Sequence, residues 1–204
     1  SNSGFGPFWG PPAVGDVEPD GIQDIAAATW SNGMLYLWSS RGDVKPGWPR
    51  TLMVDGQIPA NVWSGSVLAD LDGDGDLEIL VNAGRCTFAF HHDGSEVADG
   101  DGDPATTGVL IKMGATYTYS TPAVADVDND GVPEVIATNR DGNLYVVNPD
   151  GSPLSGFPFV SGGEITNSPA VGDLDNDGWK EIVFANSIYQ VYAIDANLSQ
   201  RSEE

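Results

Sequence analysis

Basic side chains are scarce in this chain of 204 residues. It has 8 Lys and Arg residues against 30 Asp and Glu residues, and its formal net charge is −22. A surface of that sign repels phosphate backbones and anionic lipid headgroups, so we expect no nucleic-acid partner. The chain also has no signal-peptide pattern and no apolar run of the roughly 20 residues that a spanning helix needs. We therefore expect no membrane insertion.

Cysteine and histidine are nearly absent as well. Cys86 is the only cysteine, which excludes an intrachain disulfide, and we expect it to be a small buried strand residue. His91 and His92 are adjacent at a strand end. Neighbours in a strand point to opposite faces, so we expect these two not to share a site. Nucleophile motifs and phosphate-binding loops are missing too, and the chain is predicted to have no catalytic activity of its own.

What the chain does contain is a nine-residue acidic pattern in four copies. The strongest copy, residues 70–78, reads Asp-Leu-Asp-Gly-Asp-Gly-Asp-Leu-Glu, and the others occupy residues 16–24, 126–134 and 173–181. Each copy has acids at positions one, three, five and nine and a glycine at position six. Carboxylates gathered on one turn repel each other unless a cation lies among them. Hard oxygen ligands in a flexible loop favour calcium, and the glycine allows the positive φ of a tight turn.

These acidic loops do not have the EF-hand pattern. An EF-hand loop carries a bidentate Glu at position twelve, between two helices. Position twelve is apolar in all four copies, and a short apolar run begins directly after position nine. Such runs are typical of strands, so each loop is predicted to be the turn of a β-hairpin. A plain solvent-exposed acidic loop would explain one copy, but not four at matched spacing.

The loops begin 54, 56 and 47 residues apart, which is the period of a propeller blade. We predict one all-β domain over residues 1–204, a β-propeller of four four-stranded blades at about residues 10–55, 64–113, 120–161 and 167–197. Strands that are apolar on both sides need cover on both sides, as in stacked blades. The last repeat lacks a fourth strand. We expect residues 3–9, which resemble residues 155–160, to close the ring beside residues 189–195.

Two alternatives to that closed ring stay open. The four blades could be part of a larger propeller of 7–8 blades. Residues 3–9 could instead insert into another copy of the chain and link copies into an assembly.

The pattern Pro-Ala-Val-x-Asp-x-Asp-x-Asp-Gly-x-x-Glu resembles the FG-GAP/VCBS repeats, which also build the β-propeller head of integrin α subunits. The resemblance implies about four Ca²⁺ ions, with side-chain ligands at positions one, three, five and nine and a backbone carbonyl at position seven. The implied ligands are Asp16, Glu18, Asp20, Ile22, Asp24, Asp70, Asp72, Asp74, Asp76, Glu78, Asp126, Asp128, Asp130, Val132, Glu134, Asp173, Asp175, Asp177, Trp179 and Glu181. The first loop departs from the pattern, because Glu18 is longer than Asp and Pro19 stiffens the turn.

The family resemblance alone does not specify the function; the predicted function is an extracellular, calcium-stabilised binding, adhesion or assembly module. Weak calcium loops suit places where calcium is millimolar, which favours a secreted or cell-surface protein. The expected partners are a protein, a carbohydrate or further copies of the chain. The alternative is a lectin-like or catalytic fragment of a secreted carbohydrate-active enzyme, and Trp30, Trp63 and Trp179, which lie beside turns, are candidates for an exposed face. A further acidic stretch, residues 99–103, is expected to be a solvated loop, with a fifth cation site as its alternative.

Overall fold

The computed structural model describes residues 6–58, 61–103 and 106–196, and these ranges form four antiparallel β-sheets. Sheet 1 contains β1 (Ala13–Gly15), β2 (Asp24–Ala28), β3 (Met34–Ser39) and β4 (Arg50–Thr51). Sheet 2 contains β5 (Ser66–Ala69), β6 (Glu78–Ala83), β7 (Cys86–Phe90) and β8 (Val109–Lys112). Sheet 3 contains β9 (Ala123–Ala125), β10 (Glu134–Thr138), β11 (Asn143–Val147) and β12 (Phe159–Val160). Sheet 4 contains β13 (Ala170–Gly172), β14 (Glu181–Ala185) and β15 (Val191–Asp195).

The predicted all-β class is confirmed, since the described ranges contain strands and turns and no helix. It follows that they include no helix able to cross a bilayer. Strands follow one another across each sheet in chain order, and every neighbouring pair is antiparallel. Each acidic loop joins the first two strands of its sheet, and its position nine pairs with the residue just before the loop, as Glu78 does with Ala69. The acidic loops are therefore hairpin turns, as their apolar flanks predict.

Apolar side chains on both faces of the strands form three layers, one between each pair of successive sheets. Leu35 and Leu37 of sheet 1 face Phe88 of sheet 2 in the first layer. Leu80 and Ala137 contribute to the second layer, between sheets 2 and 3. The third layer, between sheets 3 and 4, contains the side chains Ile136, Leu144, Val146, Ile182, Phe184 and Ile194. Because each inner sheet is covered on both faces, its strands read as continuous apolar runs rather than as alternating ones.

Sheet 4 has one covered face and one uncovered face. Its inner side chains, such as Phe184, are buried against sheet 3, but Val191 is 70% exposed and Leu174 is 59% exposed. The residues at the matching places of sheet 3, Leu144 and Val127, are fully buried by sheet 4. The outer face of sheet 4 thus has the apolar character of an inner sheet without a sheet packed on it in the described ranges.

The described part of the N-terminal segment does not close a ring. Residues 3–5 lie outside the described residues. Phe8 forms a bridge with Thr29, and the Pro7 carbonyl accepts a hydrogen bond of 2.7 Å from the Trp30 N–H. Residues 7–9 therefore extend the inner edge of sheet 1 instead of lying beside β15, which corrects the prediction for this part. The segment continues directly into β1, and pairing with the neighbouring β2 is the shortest connection open to it.

Candidate metal centres

The acidic loops of all four sheets lie at one end of the molecule. Loops 1 and 2 (residues 16–24 and 70–78) are joined by a 2.9 Å hydrogen bond from the Leu77 N–H to the Val17 carbonyl. Loops 3 and 4 (residues 126–134 and 173–181) are joined by Lys180, whose Nζ donates to the Asp126 carbonyl at 2.6 Å. The loop end therefore concentrates negative charge on one side of the sheets.

In three of the loops, three carboxylates of each predicted ligand set converge, without Glu78 in loop 2, Asp130 in loop 3 and Asp177 in loop 4. In each group below, one oxygen from every residue lies within 4.8 Å of the others. The groups are Asp70, Asp72 and Asp74 in loop 2, Asp126, Asp128 and Glu134 in loop 3, and Asp173, Asp175 and Glu181 in loop 4. Oxygen atoms at this separation can bind one hard divalent cation together.

The loop backbone holds these carboxylates in place. The glycine at position six has φ between 84° and 96° in all four loops, and its N–H donates to the carboxylate at position one, as from Gly75 to Asp70 at 3.1 Å. Position four also has positive φ in loops 2 to 4, with values of 78° at Gly73, 59° at Asn129 and 63° at Asn176. Glycine and asparagine tolerate this left-handed conformation, and it turns successive side chains inward.

Position seven was implied as a carbonyl ligand. In every loop its N–H donates to the carboxylate at position five at 2.8 Å, which fixes the peptide but leaves the carbonyl role a prediction. The four residues concerned are Ile22, Asp76, Val132 and Trp179.

Loop 3 provides a direct test of whether a cation fits. Glu134 is fully buried, and its Oε2 accepts the Val127 N–H at 2.8 Å. Its Oε1 and the Oδ1 of Asp126 are buried without a hydrogen-bond partner among the described residues. Burial raises the pKa of Glu134, and the nearby charges of Asp128, Asp130 and Asp126 raise it further, against the lowering effect of the Val127 N–H. Unpartnered buried carboxylate oxygens are costly, and a divalent cation would satisfy both.

Loop 2 is contacted by both histidines, which corrects the expectation that His91 and His92 do not share a site. The His91 Nδ1 lies 3.0 Å from Glu78 Oε1, and the His92 Nδ1 lies 2.8 Å from Asp76 Oδ2. Both residues follow the end of β7, where strand alternation no longer applies. Burial raises the pKa of Glu78, while hydrogen bonds from the Leu71 N–H and from His91 lower it. His91 could also be a ligand, because it lies within reach of both Asp72 and Glu78.

Loop 1 differs from the other three. Among the described residues its acids form no converging group of three. Instead the Nζ of Lys45 lies 2.6 Å from Glu18 Oε2 and 3.1 Å from Asp24 Oδ2. Loop 1 thus keeps its four predicted acidic ligands, Asp16, Glu18, Asp20 and Asp24. The Lys45 ammonium, however, lies between Glu18 and Asp24.

The acidic stretch at residues 99–103 is tied to the chain itself. The Oδ1 of Asp101 accepts hydrogen bonds from the Asp103 N–H at 3.1 Å and from the Thr106 hydroxyl at 3.0 Å. The described residues place no converging group of acids here. Cys86 is buried, as predicted, and burial raises the pKa of its thiol to about 12.

The opposite end of the sheets carries an aromatic cluster, which we call the aromatic ridge and define as Trp9, Trp30, Trp63 and Tyr119. Trp9 stacks on Trp30 with ring centroids 5.3 Å apart and meets Trp63 edge-on at 4.9 Å. Trp63 meets Tyr119 edge-on at 5.6 Å. Trp9 remains 59% exposed. The ridge runs across sheets 1 to 3, and it includes two of the three tryptophans that were predicted for an exposed face; Trp179 lies in loop 4.

Comparison with known proteins agrees with the repeat pattern. The FG-GAP-like repeat matches residues 16–81 and 126–184, which together make up more than half of the chain. The chain belongs to the FG-GAP-like repeat family. No curated protein matches this FG-GAP-like chain.

Solved structures share the fold of this FG-GAP-like chain. The biofilm matrix protein Bap1 of V. cholerae has a TM-score of 0.63 at 20% identity, over 92% of this chain and 27% of Bap1. The crystal structure of BBS1N in complex with ARL6DN, soaked with mercury, has a TM-score of 0.59 at 15% identity, over 94% of this chain and 51% of the matched chain. The same complex soaked with lead gives 0.59 at 16% identity, over 95% and 52%. The chain thus spans about a quarter of one relative and half of the other.

Proposed function

We propose that this protein is a calcium-stabilised, non-catalytic binding or adhesion module that works outside the cell. The observation that carries the proposal is the convergence of carboxylate oxygens in loops 2, 3 and 4, with buried oxygens of Asp126 and Glu134 left unpartnered. Calcium bound there would neutralise these groups and hold each hairpin turn. Ions bound there would have a structural role, because each loop joins the first two strands of its sheet.

The energetic effect of such ions is large relative to protein stability. One site adds roughly 1.4 kcal/mol when free calcium exceeds its dissociation constant tenfold. Three sites would add about 4 kcal/mol to a domain whose total stability is about 5–15 kcal/mol.

Thermal unfolding with and without free calcium tests this role. We expect the Tm to fall by about 10 °C or more in excess EGTA and to recover when calcium, but not the same concentration of potassium, is restored. EGTA in the presence of saturating calcium is the control for chelator effects. An unchanged melting curve in excess EGTA contradicts the structural role of calcium.

We infer that the four sheets are blades of a β-propeller. The inference is supported by the three apolar layers between successive sheets. The uncovered face of sheet 4 favours a ring larger than four blades over a closed ring of four. The matrix protein with the same fold supports an extracellular setting.

Carbohydrate is the second candidate ligand, and the aromatic ridge favours it. Flat Trp and Tyr faces match the C–H faces of sugar rings, and flanking polar groups can bind hydroxyls. The ridge has such groups: Arg140 lies 5.3 Å from the Tyr119 ring centre and is paired with Glu164 at 2.9 Å. A cleft of about 480 Å³ lies at the same end, lined in part by Arg85 and Tyr117. The ridge is not a cage for a cationic ligand, because its rings pack on each other and Arg140 already covers Tyr119.

A glycan array combined with an assay for released reducing ends tests this candidate. We expect binding without turnover, and we expect Trp9→Ala to weaken it about tenfold through the loss of one stacking face. The control is Tyr189→Asn, which removes a fully exposed aromatic ring at the same end but outside the ridge. Release of reducing ends would instead support a catalytic fragment, and an array without hits contradicts the carbohydrate candidate.

A further inference from the structure

Lys45 lies where a bound cation would lie in the other loops. Its ammonium contacts position three (Glu18) at 2.6 Å and position nine (Asp24) at 3.1 Å. In loops 3 and 4 the acids at these two positions belong to the converging groups. The Lys45 side chain is 13% exposed and that of Asp24 is 3% exposed, so the contact is largely shielded from water.

The repeats show that this lysine is a substitution at a fixed structural position. The Lys45 N–H donates to the carbonyl of Leu37, eight residues earlier, in the strand-three segment of sheet 1. The same bond joins Val97 to Ala89 in sheet 2 and Leu154 to Val146 in sheet 3, again at a separation of eight residues. The two equivalent side chains, Val97 and Leu154, are apolar, so among sheets 1 to 3 only the sheet with the divergent loop carries a charge at this position.

Loop 1 has also lost the backbone geometry of the other loops. Pro19 stands at position four, where the ring fixes φ near −65° and forbids the positive φ seen in loops 2 to 4. At position nine Asp24 is one methylene shorter than the glutamates, whose carboxylates each accept the N–H of position two. These changes remove the convergence that calcium needs, while two carboxylates remain to be neutralised.

We propose that the ammonium of Lys45 permanently replaces the metal ion of loop 1, so that the chain binds three divalent cations and its first hairpin is held without metal. A lysine side chain is charged at neutral pH, and its hydrogen bonds to Glu18 and Asp24 hold the ammonium between the two carboxylates. The number of bound ions rests on the proposed function, whereas the role of Lys45 in holding the first hairpin does not.

Counting bound calcium by native mass spectrometry tests the first part. We expect three ions on the wild-type chain. Installing the lysine in the third repeat, as Leu154→Lys, should place an ammonium near Asp128 and Glu134 and reduce the count to two. Leu154→Met, which changes the side chain without adding charge, should keep three ions. Four ions on the wild type, or three on Leu154→Lys, overturn the proposal.

Thermal unfolding in excess EGTA tests the second part without any bound metal. Lys45→Met leaves the carboxylates of Glu18 and Asp24 facing each other, and we expect the Tm to fall by about 5 °C or more. Lys45→Arg should retain most of the wild-type Tm. Arg85→Met removes a more exposed cation paired with the exposed Asp55 and should change the Tm little. An unchanged Tm for Lys45→Met overturns the proposal, and this result stands even if no loop binds calcium.

Discussion

At the scale of one residue, the effect of Glu134 on the stability of the fold depends on whether a cation is bound. Its side chain is fully buried, and one oxygen is held by the Val127 N–H while the other has no donor among the described residues. Without a cation, the charge of Glu134 faces the carboxylates of Asp126 and Asp128. With a cation, the same three groups become ligands.

Replacing Glu134 by Gln should therefore have opposite effects in calcium and in chelator. In EGTA, Glu134→Gln removes a buried charge beside like charges, and we expect it to stabilise the fold by on the order of 1 kcal/mol. In a hundredfold excess of free calcium over the dissociation constant, loss of the site removes about 2.7 kcal/mol, which outweighs that gain, so we expect a net loss of roughly 1.7 kcal/mol. Urea unfolding in both conditions measures the two values.

The matched control for this prediction is Glu181→Gln, at the same loop position but half-buried, which should show a smaller change in EGTA. Destabilisation of Glu134→Gln by the same amount in EGTA and in calcium would contradict a cation site at loop 3.

Residues that belong to an acidic loop could be predicted from the sequence. Residues that reach a loop from another part of the fold could not. The carboxylates of loops 2 to 4 and the glycine at position six follow from spacing alone, because a turn is closed by its own nine residues. Lys45 reaches loop 1 from 21 residues beyond Asp24, and His91 reaches Glu78 from the next strand. The one sequence signal for Lys45 is its separation of eight residues from Leu37, which becomes visible only when the strands are aligned.

At the scale of elements, apolar runs predicted the inner strands well and the outer strands poorly. The apolar runs that directly follow position nine fall within β2, β6, β10 and β14. Four-stranded blades were predicted, but the outer strands β4 and β12 are only two residues long. Pro49 and Pro158 directly precede these strands and cannot donate a ladder hydrogen bond, and the chain reverses at Asp55.

Equivalent residues on sheets 3 and 4 should respond very differently to one substitution. Leu144 is fully buried by sheet 4, whereas Val191, at the same place on β15, is 70% exposed. Leu144→Lys buries an unpaired charge, and we expect it to cost about 3 kcal/mol or more. Val191→Lys should change the stability by no more than about 0.5 kcal/mol. Urea unfolding of both variants in saturating calcium measures the difference.

A large cost for Val191→Lys would contradict an open outer face on sheet 4. It would indicate that another copy of the chain covers this face in solution, which sedimentation velocity of the wild type would then detect.

At the scale of the whole molecule, charge and aromatic groups lie at opposite ends of the sheets. The four acidic loops hold seventeen of the 30 acidic residues and lie at one end. The other end carries the aromatic ridge and the ion pair of Arg140 with Glu164. This separation follows from topology, because the first and second turns of an antiparallel sheet lie at opposite ends of its strands. It separates the proposed ligand surface on the ridge from the proposed ion sites in the loops.

The concentration of acids at one end predicts a stability that depends on salt mainly when calcium is absent. Three divalent ions would change the net charge from −22 to −16, and they would do so within the loops, where repulsion is strongest. Raising NaCl from 0.02 to about 0.5 M shortens the screening length well below the roughly 10 Å that holds at 0.1 M. We therefore expect NaCl to raise the Tm by several degrees in EGTA and by clearly less in saturating calcium. Equal shifts in the two conditions would mean that the loop carboxylates are not what calcium neutralises.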